Sequence, residues 1–126
     1  MSSVAFSPDD KRIVAGETRA STDDKRFSFS EVKVWDAKAG QLLHTLNGHK
    51  GNVTSVAFSQ DGTRFISAGG VFERFGELIL WDTATGQELI SLKGHTDLVT
   101  RVSWSTDGIR IMSCSVDRTV KVWEAP

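Results

Sequence analysis

Cysteine is almost missing from this sequence. Cys114 stands alone, which excludes a disulfide within the chain. Its place in a run with strand character fits a small buried hydrophobe better than a reactive thiol. An excess of either charge sign is missing too, with 15 Lys and Arg against 16 Asp and Glu. That balance provides no electrostatic attraction to nucleic acid or to an anionic membrane. No apolar run approaches the length of a membrane span. Residues 1–12 lack the basic segment and long apolar run of a signal peptide. Together these absences predict a cytoplasmic protein. Three scattered histidines and one cysteine make no metal-ligand spacing, and no Gly-rich phosphate loop occurs, so no cofactor or metal is expected. Asn52-Val53-Thr54 matches a glycosylation sequon, but nothing else points to secretion.

What is present is repetition. The stretch from Gly94 to Glu124 opens on Gly-His and closes on Trp-Glu. Between them lie three runs with strand character, Val99–Ser105, Arg110–Ser115 and Thr119–Trp123. Turn residues separate them, Thr106-Asp107-Gly108 and then Val116-Asp117-Arg118. Alternating β-branched and polar residues bounded by Gly and Asp read as consecutive antiparallel strands. The same text recurs. Val4-Ala5-Phe6-Ser7-Pro8-Asp9 aligns with Val56-Ala57-Phe58-Ser59-Gln60-Asp61 and with Val102-Ser103-Trp104-Ser105-Thr106-Asp107. Trp35-Asp36, Trp81-Asp82 and Trp123-Glu124 follow at steps of 46 and 42 residues, and Gly48-His49 and Gly94-His95 are again 46 apart.

A period in the forties with Gly-His and Trp-Asp signatures resembles the WD40 repeat, in which four strands make one blade of a β-propeller. The resemblance covers essentially the whole chain. It implies an all-β fold and a single domain over residues 1–126, with blades at about 1–46, 47–92 and 93–126. Naming the strands a to d from the inside outward, blade one has Ser3–Ser7, Arg12–Gly16, Glu31–Trp35 and Gln41–Leu46. Blade two has Val53–Ser59, Arg64–Ala68, Glu77–Trp81 and Glu88–Leu92. Blade three has its a, b and c strands and no d, which makes eleven strands in all. Apolar residues on both faces of the inner strands, such as Ala57 beside Val56 and Phe58, are expected where blade packs on blade. Asp10, Gly62 and Gly108 hold equivalent places after the a–b turn, where a positive φ is expected.

Three blades fall short of a ring, since closed propellers have about four to eight. Two outer faces would meet water, beyond the apolar patch usually tolerated. The expectation is therefore a homo-oligomer completing the ring, a homodimer with six blades or a homotrimer with nine. The alternative is a fragment of a larger multidomain WD40 regulatory or sensor protein, which the missing d strand favours. The functional expectation is a non-enzymatic protein–protein interaction scaffold, with protein partners, itself or both, and with no nucleic acid and no membrane.

The resemblance also implies a structural tetrad, which in blade three matches His95, Ser113, Asp117 and Trp123. Its logic is polar satisfaction: Asp accepts from imidazole, imidazole meets the hydroxyl, and the hydroxyl accepts from the indole. Ser, His and Asp together also raise a catalytic triad, but the indole partner and the repeat favour structure, and no catalytic residue is expected. Blade two has His49, Ser67 and Trp81, while GGVFERFG replaces the Asp turn. Blade one keeps Trp35, has Ala15 in place of Ser, and lacks the His. Both tetrads are expected to be incomplete. His44 reads as a surface or half-buried histidine.

Two insertions depart from the repeat, both between strands b and c. They carry Phe27, Phe29, Arg19 and Arg26 in blade one, and Phe72, Arg74 and Phe75 in blade two. The resemblance places them as loops on the top face, beside the Gly-His loops. Aromatic residues and Arg are the types enriched at interface hot spots. Phe27, Phe29, Phe72, Arg74 and Phe75 are therefore candidate partner-binding residues. The alternative is that these Phe pack the loops onto their own blades.

Overall fold

A computed structural model describes residues 3–20 and 28–126. They form eleven strands and, among the described residues, no helix. Blade one is the sheet β1 (Ser3–Phe6), β2 (Arg12–Ala20), β3 (Ser28–Asp36), β4 (Leu42–Leu46). Blade two is β5 (Asn52–Phe58), β6 (Arg64–Val71), β7 (Phe75–Asp82), β8 (Glu88–Leu92). Blade three has three strands, β9 (Val99–Trp104), β10 (Arg110–Ser115) and β11 (Val120–Glu124). Within each sheet neighbours in sequence pair antiparallel, as short polar turns dictate.

The a–b turns show how the text fixes local structure. In each, a Ser hydroxyl donates to the Asp two residues on: Ser7 to Asp9, Ser59 to Asp61 and Ser105 to Asp107, at 2.6, 2.8 and 2.6 Å. The same carboxylate oxygen accepts the N–H of Lys11, Thr63 or Ile109. The residue between turns left-handed, with φ of 61° at Asp10 and 73° at Gly62 and Gly108, as the sequence predicts. Gly accepts that conformation freely and Asp tolerates it.

Two buried clusters hold the blades together. Val14, Val32 and Val34 of blade one meet Val53, Val56, Phe65, Ile79 and Trp81 of blade two. Ile66, Ala68, Leu78 and Leu80 of blade two meet Val99, Val102 and Ile111 of blade three. Strands β6 and β7 are therefore buried on both faces, which explains their continuous apolar text. The outer strands β4 and β8 are largely exposed. In both, the register slips at the same place, before Trp35 and before Trp81, leaving Leu43 and Leu89 unpaired in a bulge.

The insertions differ from their reading as loops. In blade two, Ala68↔Leu78 continues to Gly69↔Glu77, Gly70↔Gly76 and Val71↔Phe75, so the insertion is a β-hairpin tipped by Phe72-Glu73-Arg74. In blade one the pairing continues from Gly16↔Val32 to Ala20↔Ser28. Phe27 and Arg26 lie outside the described residues. Cys114 also departs from expectation: it is half-buried, because its side of β10 faces outward from the last blade.

Candidate functional site

In blade three the structure brings His95, Ser113, Asp117 and Trp123 together. His95 is carried on the loop before β9, and its Nδ1 lies 2.9 Å from Asp117 Oδ2 in the β10–β11 turn. Its Nε2 lies 2.7 Å from Ser113 Oγ, which accepts the Trp123 indole N–H at 2.9 Å. With Nδ1–H given to the carboxylate, Nε2 accepts the serine proton. Asp117 also accepts the N–H groups of Thr96 and Thr119, at 3.1 and 2.8 Å. The Thr119 hydroxyl, with help from His95 and these N–H groups, holds the Asp117 carboxyl well below the usual carboxylate range despite its desolvation. Ser113 is 2% exposed and its oxygen already holds an indole and an imidazole. A catalytic serine needs a free path to a substrate carbonyl, and this one is sealed.

Blade two keeps the His–Ser–Trp part of the network, and its carboxylate end stays incomplete as expected: the buried His49 Nδ1 has no hydrogen-bond partner. His49 Nε2 meets Ser67 Oγ at 2.6 Å, and Ser67 accepts the Trp81 indole at 2.8 Å. The nearest carboxylate is Glu77, at the start of strand c. Its Oε1 lies 3.5 Å from His49 Nδ1, an electrostatic contact longer than the one in blade three. The same carboxylate accepts the N–H groups of Lys50 and Gly51, at 2.9 and 2.8 Å. Burial pushes the Glu77 carboxyl up, but His49 and these N–H groups outweigh it and leave it below its ordinary value. The physical reason is length. The extended hairpin moves the turn away from the imidazole, and Glu reaches one methylene further than Asp from a strand position.

Blade one has neither His nor Ser in this place. There Ala15 pairs with Lys33, and the Lys33 ammonium sits between Glu17 and Glu31, at 3.4 and 3.6 Å. Glu31 shares the register of Glu77, four residues before the blade's Trp, so that position alone does not mark a tetrad. His44 meets the Ala84 carbonyl at 3.0 Å on the surface.

The hairpins and the Gly-His loops share one rim. The Gly76 N–H donates to the His95 carbonyl at 3.2 Å, and the Glu73 N–H to Asp97 Oδ1 at 2.7 Å. The second hairpin is thus tied down onto blade three. The first reaches blade two, where the Ser30 hydroxyl donates to the Gly51 carbonyl. Gly51 lies between the two hairpins, and a Cβ there would collide with the Gly70 carbonyl and Val71. At the rim Phe72 is 58% exposed, Arg74 is exposed and Phe75 is half-buried. Phe29 is in β3; Phe27 is outside the described residues. Tetrad and rim are therefore one continuous end of the molecule, and among the described residues no cluster of His, Cys, Asp and Glu fits a metal.

The family model for the WD domain, G-beta repeat, matches residues 40–70 and 86–124. The chain belongs to the WD40 repeat family. Such proteins are in general protein-interaction scaffolds without catalytic activity. An uncharacterized WD repeat-containing protein of Synechocystis sp. is 37% identical over 67 residues, 53% of this chain and 17% of its own length. The solved WD40 repeats of RRP9 superpose with a TM-score of 0.81 at 24% identity, covering 97% of this chain and 34% of theirs. U3-55K gives the same TM-score and identity, with 35% of its chain covered. At that identity the likeness concerns the fold. These WD40 blades span about a third of the solved structures and a smaller share of the curated relative.

Proposed function

We propose that this WD40 chain is a non-enzymatic scaffold for protein–protein interaction whose propeller is completed by self-association. One observation carries the reading. The two outer blade faces bear exposed apolar side chains, Val4 and Phe6 on one and Met112, Val120 and Val122 on the other. Faces of this kind need cover in water. Two chains make six blades, inside the usual range of closed propellers, and three make nine, outside it. The dimer is therefore the preferred state. Partners dock on the rim through Phe72 and Arg74, with Phe75 beneath them. Aromatic and Arg side chains on a braced hairpin give a partner area at low ordering cost.

The share of its relatives that the chain spans favours a second reading, in which it is one part of a larger multidomain WD40 regulator and flanking blades cover both faces. Light scattering on the isolated chain at micromolar concentration separates the two. A mass twice that of the chain supports self-association. A well-folded monomer refutes it.

A further inference from the structure

We infer that the self-associated form is joined head to tail, with the β1 side of one copy seated on the β9–β11 face of the next. This inference rests on the self-association proposed above and adds which surfaces meet. The strand registers make the three blades comparable position by position. Val4↔Ala15, Val56↔Ser67 and Val102↔Ser113 are equivalent pairs. So are Ile66↔Leu80 with Met112↔Val122, and Ala68↔Leu78 with Cys114↔Val120.

Exposure at these positions tracks the presence of a neighbour. Val56 and Val102, each pressed on a preceding blade, are 7% and 4% exposed, and Val4 is 66% exposed. Leu78 and Leu80, covered by blade three, are 1% and 0% exposed, while Val120 and Val122 are 70% and 59% exposed. The residue types stay apolar where the cover is gone. One face is thus the kind of surface that β5 and β9 present, and the other is the kind of surface that receives them. They are complementary and not self-complementary, which is the signature of a heterologous contact, and two such contacts close a ring of two copies.

The internal seam also supplies detail. Between blades two and three the Arg64 guanidinium lies 5.2 Å from the Trp104 ring centre. Arg110 and Phe6 occupy the matching positions on the outer faces. Across the new seam Arg110 of one copy covers Phe6 of the other. Cys114 takes the place of Ala68, which is 0% exposed in the seam already formed.

The test uses two single variants, Val4→Arg and Val122→Glu, at sites exposed in the single chain, so that thermal melts report intact blades. Each variant alone is expected to lose the dimer mass, because each damages both contacts of a two-copy ring. Mixing them one to one is expected to restore it, since one contact is then wild type and the other pairs Arg with Glu. Maleimide labelling of Cys114 should slow in step with the dimer fraction in the wild type and stay fast in either variant. If only one variant disrupts the dimer, or if mixing restores nothing, the head-to-tail seam is wrong although self-association stands. A dimer whose Cys114 labels at the monomer rate overturns it in the same way. A wild-type monomer instead removes the self-association on which the seam rests.

Discussion

Replacing Ser67 by Ala tests the His–Ser–Trp chain of blade two directly. Ser67 is 0% exposed, and its oxygen links His49 Nε2 and the Trp81 indole at 2.6 and 2.8 Å. Trp81 is 3% exposed and the His49 side chain 1%, so water cannot replace the hydroxyl. A buried polar group left without a partner costs about 1–3 kcal/mol, so two in a sealed site cost about 3 kcal/mol after partial relaxation. For a domain of this size that corresponds to a melting point about 12 °C lower. Ser113→Ala should cost less, about 2 kcal/mol, because Trp123 is only half-buried and water can reach its indole. Guanidinium melts of both variants and the parent, at one protein concentration, measure the difference; association makes stability depend on concentration. A loss below about 0.5 kcal/mol for Ser67→Ala would refute the network, because it would match an ordinary surface change.

Glu77→Ala should lower stability by about 2 kcal/mol and Glu77→Gln by about 1, since the amide keeps one oxygen to accept the Gly51 N–H but loses the second oxygen facing Lys50 and the charge toward His49; a Gln variant as stable as the parent in a denaturant melt would show that the charge is idle. Asp61 accepts the N–H of Thr63, the Thr63 hydroxyl and the Ser59 hydroxyl, which bring its carboxyl down to about 2 from 3.8, a value that a carboxyl-detected NMR titration reads directly. Because the folded value lies below the unfolded one, its contribution is whole above pH 3.8 and is lost as pH falls toward 2. Asp117 and Glu77 are lowered as well, so acid titration followed by circular dichroism should show stability falling on the acid side, less steeply in Asp117→Asn. Phe72→Ser should leave the melting point unchanged, being a tip residue, while Phe75→Ser should lower it; partner capture lost in the first variant alone places binding at the tip, and capture retained by it removes Phe72 from the binding surface.

The repeat was legible because the same short-range chemistry is written three times. Ser-x-Asp before each b strand fixes a turn through its own side chains, and the strands end at Phe6, Phe58 and Trp104, one residue short of the Ser where the sequence reading ends them, because that Ser already belongs to the turn. His95, Ser113, Asp117 and Trp123 were legible as a set because all four types stand at their positions. The hairpin over Gly69 to Gly76 was not. Gly-Gly and an aromatic cluster read as breakers and loop, and what pairs those residues is tertiary: the His95 carbonyl and Asp97 of the next blade hold the backbone down. Gly70, at φ 132°, even requires a conformation that strand propensity does not anticipate. The role of Glu77 was equally hidden, because Glu31 stands at the same register without an imidazole to serve.

The double-sided burial of β6 and β7 has a consequence for motion. Among the described residues every strand pairs only with its neighbours in sequence, and the buried clusters join each blade to the one beside it, so the blades form a short linear array. In such an array the ends open first. Blade two must lose both clusters before its centre meets solvent, while blades one and three need lose only one each. Amide exchange in the single chain should therefore be slowest at Phe65–Ala68 and Leu78–Trp81, and fastest along β1 and β11. Covering the outer faces would turn that gradient into a plateau, so the exchange profile of the central blade against its neighbours becomes a gauge of whether the ring is closed.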